Sequence, residues 1–437
     1  CLVLRNGSHE HMTVECAALS VELDVPVDVE LAGFASERHW NGRIDGVIEA
    51  DLLALFGASA PIVLVSVDAV YANELTRRLR TIITSDVSLV VLASHSHFVP
   101  SHMPEYPGLG SWQEQLTQSW AETIGDAVKS LLDRTRSPVA VTRAVTSHGA
   151  SRRRREQYAV SRSWPLLRRS IVFAPSQEVQ VAITIDRFVG DNIQAVVWTA
   201  PIHPTAYYDF EALTAEYPGH VRRAIRATAG ANLPVLFGQG ASGDIRQPFQ
   251  SRDPRRVGAW RLVSQVIPSG LKPSFVRSTK REWTDWSNEL AERVASLFAE
   301  GGSAMSLDGK LARLAFARLS APTHVFFHGN HPVQEVEVIA VNADGVRTLF
   351  VNAEVTSVLA DAIRKATDAL DTKGGSWVLV GCVNECVGYL ASADETTRGG
   401  YECTHWPAVF GLKEVALKAD AGAQLVELCV RAVKSCG

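Results

Sequence analysis

The chain has 437 residues, 46% of them apolar and 21% charged, the balance of an ordinary globular protein with room for a large core. Its formal net charge is −4, from 43 basic and 47 acidic side chains, which leaves no electrostatic case for nucleic acid or an anionic membrane as partner. No apolar run approaches the roughly 18 residues needed to span a bilayer, so no transmembrane segment is expected.

Residues 1–12 lack the apolar core of a secretory leader. Leu4-Arg5-Asn6-Gly7-Ser8-His9 reads as a vector-derived remnant, with Met12 near the native start, and 13–437 is taken as one large domain. The seven cysteines are an odd number at low density. Cys382, Cys386 and Cys403 cluster, but no CxxC pair supports a structural zinc site. Reduced thiols in a cytoplasm are expected, with secretion the alternative if a leader has been removed.

Val14 to Val29 alternates as a half-buried strand does, and leads to Leu31-Ala32-Gly33-Phe34-Ala35, where Gly33 lets the backbone approach a ligand closely. Glu49 to Gly57 and Pro61 to Val67 read as strands. Asp68 then either faces a site or caps the helix expected near Asn73, and the cap is favoured slightly. Ser88 to Ala93 is a Val-rich apolar strand that stops abruptly at Ser94-His95-Ser96-His97. Strand alternation puts His95 and His97 on one face, so the pair is either a metal site or a strand cap plus a surface residue.

A loop with His102 follows, then a helix over Trp112 to Arg134 and a strand over Val139 to Ser147. Arg152 to Arg155 reads mainly as a solvated charge run, of which one arginine can hold a carboxylate or oxyanion. Val179 to Asp186 and Ile193 to Ala200 form a predicted hairpin, and the second strand ends at Pro201-Ile202-His203. His148 and His220 read as ordinary loop or surface residues, as does His102. Gly238-Gln239-Gly240-Ala241-Ser242-Gly243-Asp244 is an anion-cradling candidate that matches neither a P-loop nor a serine nucleophile elbow, and Asp244 reads as a structural acceptor. Residues 250–283 read as an inserted loop or lid. A helix over Thr284 to Ala299 and strands over Leu311 to Leu319 and Val333 to Val341 follow. Thr348 to Val351 ends at Asn352-Ala353-Glu354, where Glu354 is either a ligand or an acid at the start of the next helix. Trp377 to Val380 is one more strand, Gly381 to Trp406 a loop holding Tyr389 and Tyr401, and Val415 to Val433 a closing helix interrupted near Gly422.

Three apolar strands thus end in candidate metal ligands: His95 with His97, His203, and Glu354. Two histidines, one carboxylate and an open position suit a catalytic zinc. In collinear order the chain also carries Gly33-Phe34-Ala35, His95-Ser96-His97-Phe98-Val99-Pro100, Ser151-Arg152-Arg153 and Thr214-Ala215-Glu216-Tyr217-Pro218-Gly219. Gly243-Asp244, Asn352-Ala353-Glu354, Gly388-Tyr389 and Tyr401-Glu402 complete the series. This series resembles the neutral/alkaline, non-lysosomal ceramidases, zinc amidases that cleave the N-acyl bond of ceramide. The resemblance covers most of the chain from about Leu31, including the spacing of twelve between Tyr389 and Tyr401. Val99 replaces the family's glycine, Ser151 its asparagine, and the family's immunoglobulin-like C-terminal domain is not in this chain.

The resemblance implies Zn2+ held by His95, His203, Glu354 and Tyr389, with His97 as acid/base. It also implies that Tyr401 and Arg152 hold the carbonyl or carboxylate, and that Gly33, Gly243 and Asp244 lie against substrate. It implies a mixed α/β fold of packed sheets with flanking helices, and a hydrolase acting on a small-molecule or lipid N-acyl amide. Zinc-dependent ester hydrolysis or acyl transfer, and a non-catalytic relative that binds an acylated ligand, are the alternatives. Tyr389 and Tyr401 could otherwise be loop-packing aromatics. Oligomeric state is not encoded.

Overall fold

The computed structural model describes residues 14–35, 37–57, 60–153, 156–158, 171–173, 176–251, 274–275, 277–300, 314–370 and 376–436. Residues 1–12, Arg154 and Arg155, and most of the predicted lid lie outside these. Three sheets carry the chain. The first joins β1 (Glu15–Glu22), β2 (Glu49–Phe56), β3 (Ile62–Val67) and β4 (Ser88–Ala93) in the order β4-β3-β2-β1, with a short edge segment at Ser137–Pro138. The second joins β5 (Ala140–Arg153), β6 (Ser176–Val189), β7 (Ile193–Ala200), β8 (Val235–Gln239) and β9 (Ile245–Arg246) in the order β8-β7-β6-β5-β9. The third runs β10-β11-β12-β14, from Leu314–Pro322, Glu335–Ala343, Val346–Val351 and Val378–Val380. A two-stranded parallel ribbon pairs β13 (Glu354–Val355) with β15 (Tyr389–Leu390).

Period-two patterning explains how these sheets stack. In β4, Val90 and Leu92 enter a central core while Leu89, Val91 and Ala93 face the opposite side. In β7, Ala195 and Val197 join the same central core while Val196, Trp198 and Ala200 turn outward. Ile339 and Val341 of β11 complete it from the third sheet. The outer faces are covered by helix pairs. They are α1 (Asn73–Ile82) with α2 (Glu114–Leu132), α3 (Glu216–Ala229) with α4 (Lys280–Glu300), and α5 (Ser357–Asp368) with α6 (Ala421–Ser435). The result is one mixed α/β domain in which each sheet has an inner and a helix-covered face. A one-residue slip in β4 would exchange those faces, at about 1.5–3 kcal/mol for each buried aliphatic side chain displaced.

Each sheet contains one parallel pair: β3 with β4, β7 with β8, and β12 with β14. Parallel neighbours end at the same edge, so each pair delivers two loops together. Backbone hydrogen bonds tie the three edges to one another. Gly381 N bonds Gln239 O at 2.7 Å, Asn384 N bonds Val91 O at 2.8 Å, and Gly243 N bonds Val355 O at 3.1 Å.

Several expectations change. Asp68 does not cap α1, whose N-cap is Ala72; it accepts Arg222 Nη2 at 2.8 Å and the Glu49 amide at 3.2 Å. Arg222 and Arg226 hold Glu49, Asp51 and Asp68 in one buried ion cluster. Gly422 lies in the first turn of α6 and does not interrupt it. That helix starts later than predicted because Ala416–Leu417 pairs as a strand with Phe327–His328. The 381–406 loop contains a helix, Ala393–Arg398, begun by a Ser392/Glu395 capping box that was readable in the sequence. Of the predicted lid, Gln250–Ser251 pairs with Ser274–Phe275, and 280–283 already belong to α4.

His102 and His148 are buried and are not surface residues. His102 Nδ1 lies 2.9 Å from Thr117 Oγ1, and its ring packs at a tilt against Trp120, centroids 4.5 Å apart. Burial pushes its pKa down from 6.5 to about 3. The unfolded chain therefore binds a proton that the fold refuses, so stability is lost as pH falls from 6.5 toward 3. Melting temperatures across that range should fall less steeply in His102→Gln than in the wild type. Parallel curves would show that His102 contributes nothing to acid sensitivity.

Candidate metal centre

β4 stops at Ala93, and the chain turns so that His95 has a left-handed backbone, φ 61°. For a residue with a Cβ this costs about 1–3 kcal/mol and persists only where surroundings enforce it. Here the His95 amide bonds Ala69 O at 2.7 Å, and its Nδ1 lies 2.9 Å from Val70 O. Strand alternation therefore does not align the two histidines. The His95 and His97 rings stand at 89° to one another with centroids 5.0 Å apart, yet both reach the same place. β7 brings His203 to it, with Nδ1 3.1 Å from Ser242 O. Ligand atoms of His95, His97 and His203 all lie within 4.8 Å of one another, a group that could hold a metal ion.

The tautomers decide what this arrangement can do. A carbonyl oxygen only accepts, so both Nδ1 atoms carry the proton and both Nε2 atoms present lone pairs. Those two Nε2 atoms are 2.8 Å apart. Without a cation or a proton between them, two lone pairs at that distance repel. Burial, and then the charge of Arg246 and the neighbouring histidines, push the His203 pKa well down, which disfavours a proton as the bridge. Glu354 Oε2 lies 3.4 Å from His95 Nε2 and 3.6 Å from His203 Nε2, and has no hydrogen-bond partner. A tetrahedral ion with bonds of about 2.0–2.1 Å separates its ligand atoms by roughly 3.3 Å, close to the two carboxylate–histidine separations, while the histidine pair lies about 0.5 Å inside it.

The carboxylate is held from behind. The Tyr71 hydroxyl donates to Glu354 Oε1, and Tyr389, in register with Glu354 across β13–β15, bonds it as well. Burial alone would raise the Glu354 pKa, but the adjoining His95 and the bonds from Tyr71 and Tyr389 hold it below the ordinary carboxylate value. The donor set is dry, with His95, His203, Glu354 and Tyr389 each at most 2% exposed. His97 is the open side at 9%. Its ring meets the half-buried Phe34 edge-on at 5.0 Å, and Phe34 packs on Phe210.

Neither His97 ring nitrogen has a hydrogen-bond partner of normal geometry. Burial first, then His95, Arg246 and Arg38, lower its pKa well below 6.5, so it stands as a neutral base. Gly33 lies flat against this ring. At φ 97°, a Cβ there would fall 2.5 Å from His97 Cγ. Arg38 Nη2 donates to His97 O at 2.8 Å and, with Phe34 and Phe98 under its cation, holds the loop.

The remaining candidates fall elsewhere. Two glycine amides of the Gly-rich loop are taken by backbone carbonyls, Gly240 N by Ala200 O and Gly243 N by Val355 O. Gly243 sits against β13, and Asp244 accepts Ser357 N at 2.7 Å and Ser357 Oγ at 2.8 Å. Both therefore fasten the Glu354 segment. Arg152 Nε is 3.9 Å from Asp244 and lines a separate cleft of about 640 Å³ with Val181, Ile245 and Trp377. Tyr401 begins a single π-helical turn and meets Tyr389 edge-on at 5.7 Å. The sequence reading missed Tyr71 and Arg246. Tyr71 lies four residues past β3, so the strand-tip rule applied to that strand would have found it.

No family model and no curated protein sequence matches the chain. Solved structures that share its fold include a neutral ceramidase from Pseudomonas aeruginosa and a ceramidase complexed with C2. Each is 11% identical, with a TM-score of 0.65, over 97% of this chain and 75% of the neighbour. Likeness at this identity is likeness of fold, and the mixed α/β architecture described above is the one these ceramidases have.

Outer contacts of this kind usually set metal affinity by about 10- to 100-fold. If the centre takes up a metal ion, Tyr71→Phe should therefore weaken its binding by that factor in a chelator-competition titration, with melting temperature little changed in metal-free protein. Unaltered affinity would show that Tyr71 does not support the carboxylate.

Proposed function

We propose that the protein is a zinc-dependent amidohydrolase that cleaves a linear N-acyl amide. The observation that carries this reading is the pair of histidine Nε2 lone pairs facing one another beside the unpartnered oxygen of Glu354. His95, His203 and Glu354 would hold the ion, with Tyr389 as the fourth ligand or as the carboxylate's anchor. The shared fold with ceramidases supports amide chemistry, and the buried donor set supports a metal. When bound, zinc would lower the pKa of a water molecule toward about 7 and polarise the amide carbonyl.

The chain's own groups supply the rest. His97, neutral and the least buried of these residues, takes a proton from the attacking water and returns it to the departing amine nitrogen. The C–N bond breaks, and a carboxylic acid and an amine leave. Tyr401 is the candidate donor to the oxygen that gains charge. Phe34 and Phe210 shield that region from bulk water. A purely ligand-binding role would leave a buried, unpartnered, neutral histidine beside the donor set without a purpose.

The reading separates the two histidines of the motif. His95→Ala and His203→Ala should lose zinc, measured as metal per chain after dialysis. His97→Ala should keep it and lose roughly 10²- to 10⁴-fold in turnover of an N-acyl amide. Equal zinc loss in His95→Ala and His97→Ala would make His97 a ligand instead. Gly33→Ala should behave like His97→Ala, because the added methyl must displace the imidazole; normal turnover there would remove Gly33 from the site.

A further inference from the structure

Among the described residues, Arg246 is a cation without an acidic counterpart. It ends β9, where its backbone bridges that of His203, and the His203 amide bonds the neighbouring Ile245 O at 3.1 Å. The position is anchored from the other side too. Gln247 Nε2 donates to the buried Glu216 at 2.9 Å, and Glu216 also takes Trp283 Nε1 at 2.9 Å. The chain is therefore fixed on both flanks of Arg246, while the residue is half-buried and its guanidinium makes one long contact among the described residues, 3.4 Å to Thr205 Oγ1. No carboxylate among the described residues lies within ion-pair distance of it. Other arginines around the centre are spoken for. Arg38 donates to backbone carbonyls, and Arg152 leans toward Asp244.

A guanidinium that loses part of its water without gaining an anion costs free energy, and proteins keep such a group where a ligand completes it. Its backbone bridge to His203 places it beside the proposed metal centre. Its planar fork matches a carboxylate in two parallel hydrogen bonds. Glu354, the carboxylate closest to the two histidines, is committed to Tyr71, Tyr389 and the proposed ion.

We propose that Arg246 binds a carboxylate carried by the substrate beside the scissile amide. The substrate is then an anionic amide, of which an N-acyl amino acid is the simplest form, and not a neutral lipid amide. This rests on the amidohydrolase reading and narrows it.

The test compares N-hexanoylglycine with its uncharged analogue N-hexanoylglycinamide on zinc-loaded protein, by calorimetric binding and separately by turnover. Wild type should bind the charged probe roughly 10- to 100-fold tighter, the worth of a charge-assisted hydrogen-bond pair. The ratio should fall to near one in Arg246→Gln and return in part in Arg246→Lys, with one zinc per chain in each. A ratio near one in wild type, no binding of either probe, or a ratio unchanged in Arg246→Gln overturns the assignment. Turnover is read apart from this. A tight, selective protein that cleaves neither probe keeps Arg246 as an anion site and sinks the amidase reading. Equal cleavage and equal binding of both probes does the reverse.

Discussion

Two hydrogen bonds to backbone carbonyls hold the centre together. Val70 O and Ser242 O each accept from the Nδ1 of a buried histidine, and that fixes which nitrogen of His95 and His203 faces inward. Both Nε2 lone pairs then point at one spot that water barely reaches. A buried site with two lone pairs and a carboxylate oxygen in contact is unfavourable on its own and favourable around a cation. The surrounding contacts serve that arrangement: Tyr71 and Tyr389 fix the carboxylate, Asp244 ties down the chain that follows it, and Gly33 leaves room for the His97 ring.

The carbonyls are in place because of the sheets. Val70 lies just past β3 and His95 just past β4, a parallel pair; His203 and Ser242 follow the parallel pair β7 and β8. Each histidine thus takes its tautomer from the strand beside its own. Glu354 and Tyr389 follow the third parallel pair, β12 and β14, and meet again across β13–β15. Three sheets sharing one central core bring three such edges together, and backbone bonds between the edges limit how far any ligand can drift. The strained backbone of His95 is sustained by this framework.

Much of this was legible locally. An apolar strand that stops at a histidine or a glutamate is visible in a window of ten residues, and all three tips were found in that way. Their convergence was not, because nothing local records which loops share an edge. The alternation argument for His95 and His97 reached a sound neighbourhood by an unsound route, since the strand ends before either residue. Asp68 was misread because a carboxylate after a strand looks the same whether it caps a helix or pairs with an arginine far along the chain. Arg246 was passed over because one basic residue beside a Gly-Asp loop reads as solvated; only the absence of a counter-ion among the described residues, at a half-buried edge, marks it. His102 looked like a surface residue because burial is a property of what lies on top, and a loop can be covered.

The claim that this centre is a metal site is tested most directly by zinc K-edge X-ray absorption on protein loaded with one equivalent of zinc. The account predicts a four-coordinate shell of nitrogen and oxygen at about 2.0–2.1 Å, with the multiple-scattering signature of two imidazoles and no sulfur. A shell with sulfur near about 2.3 Å would place the ion among the cysteines, and failure to retain zinc at all would leave the two facing lone pairs unexplained and the account wrong.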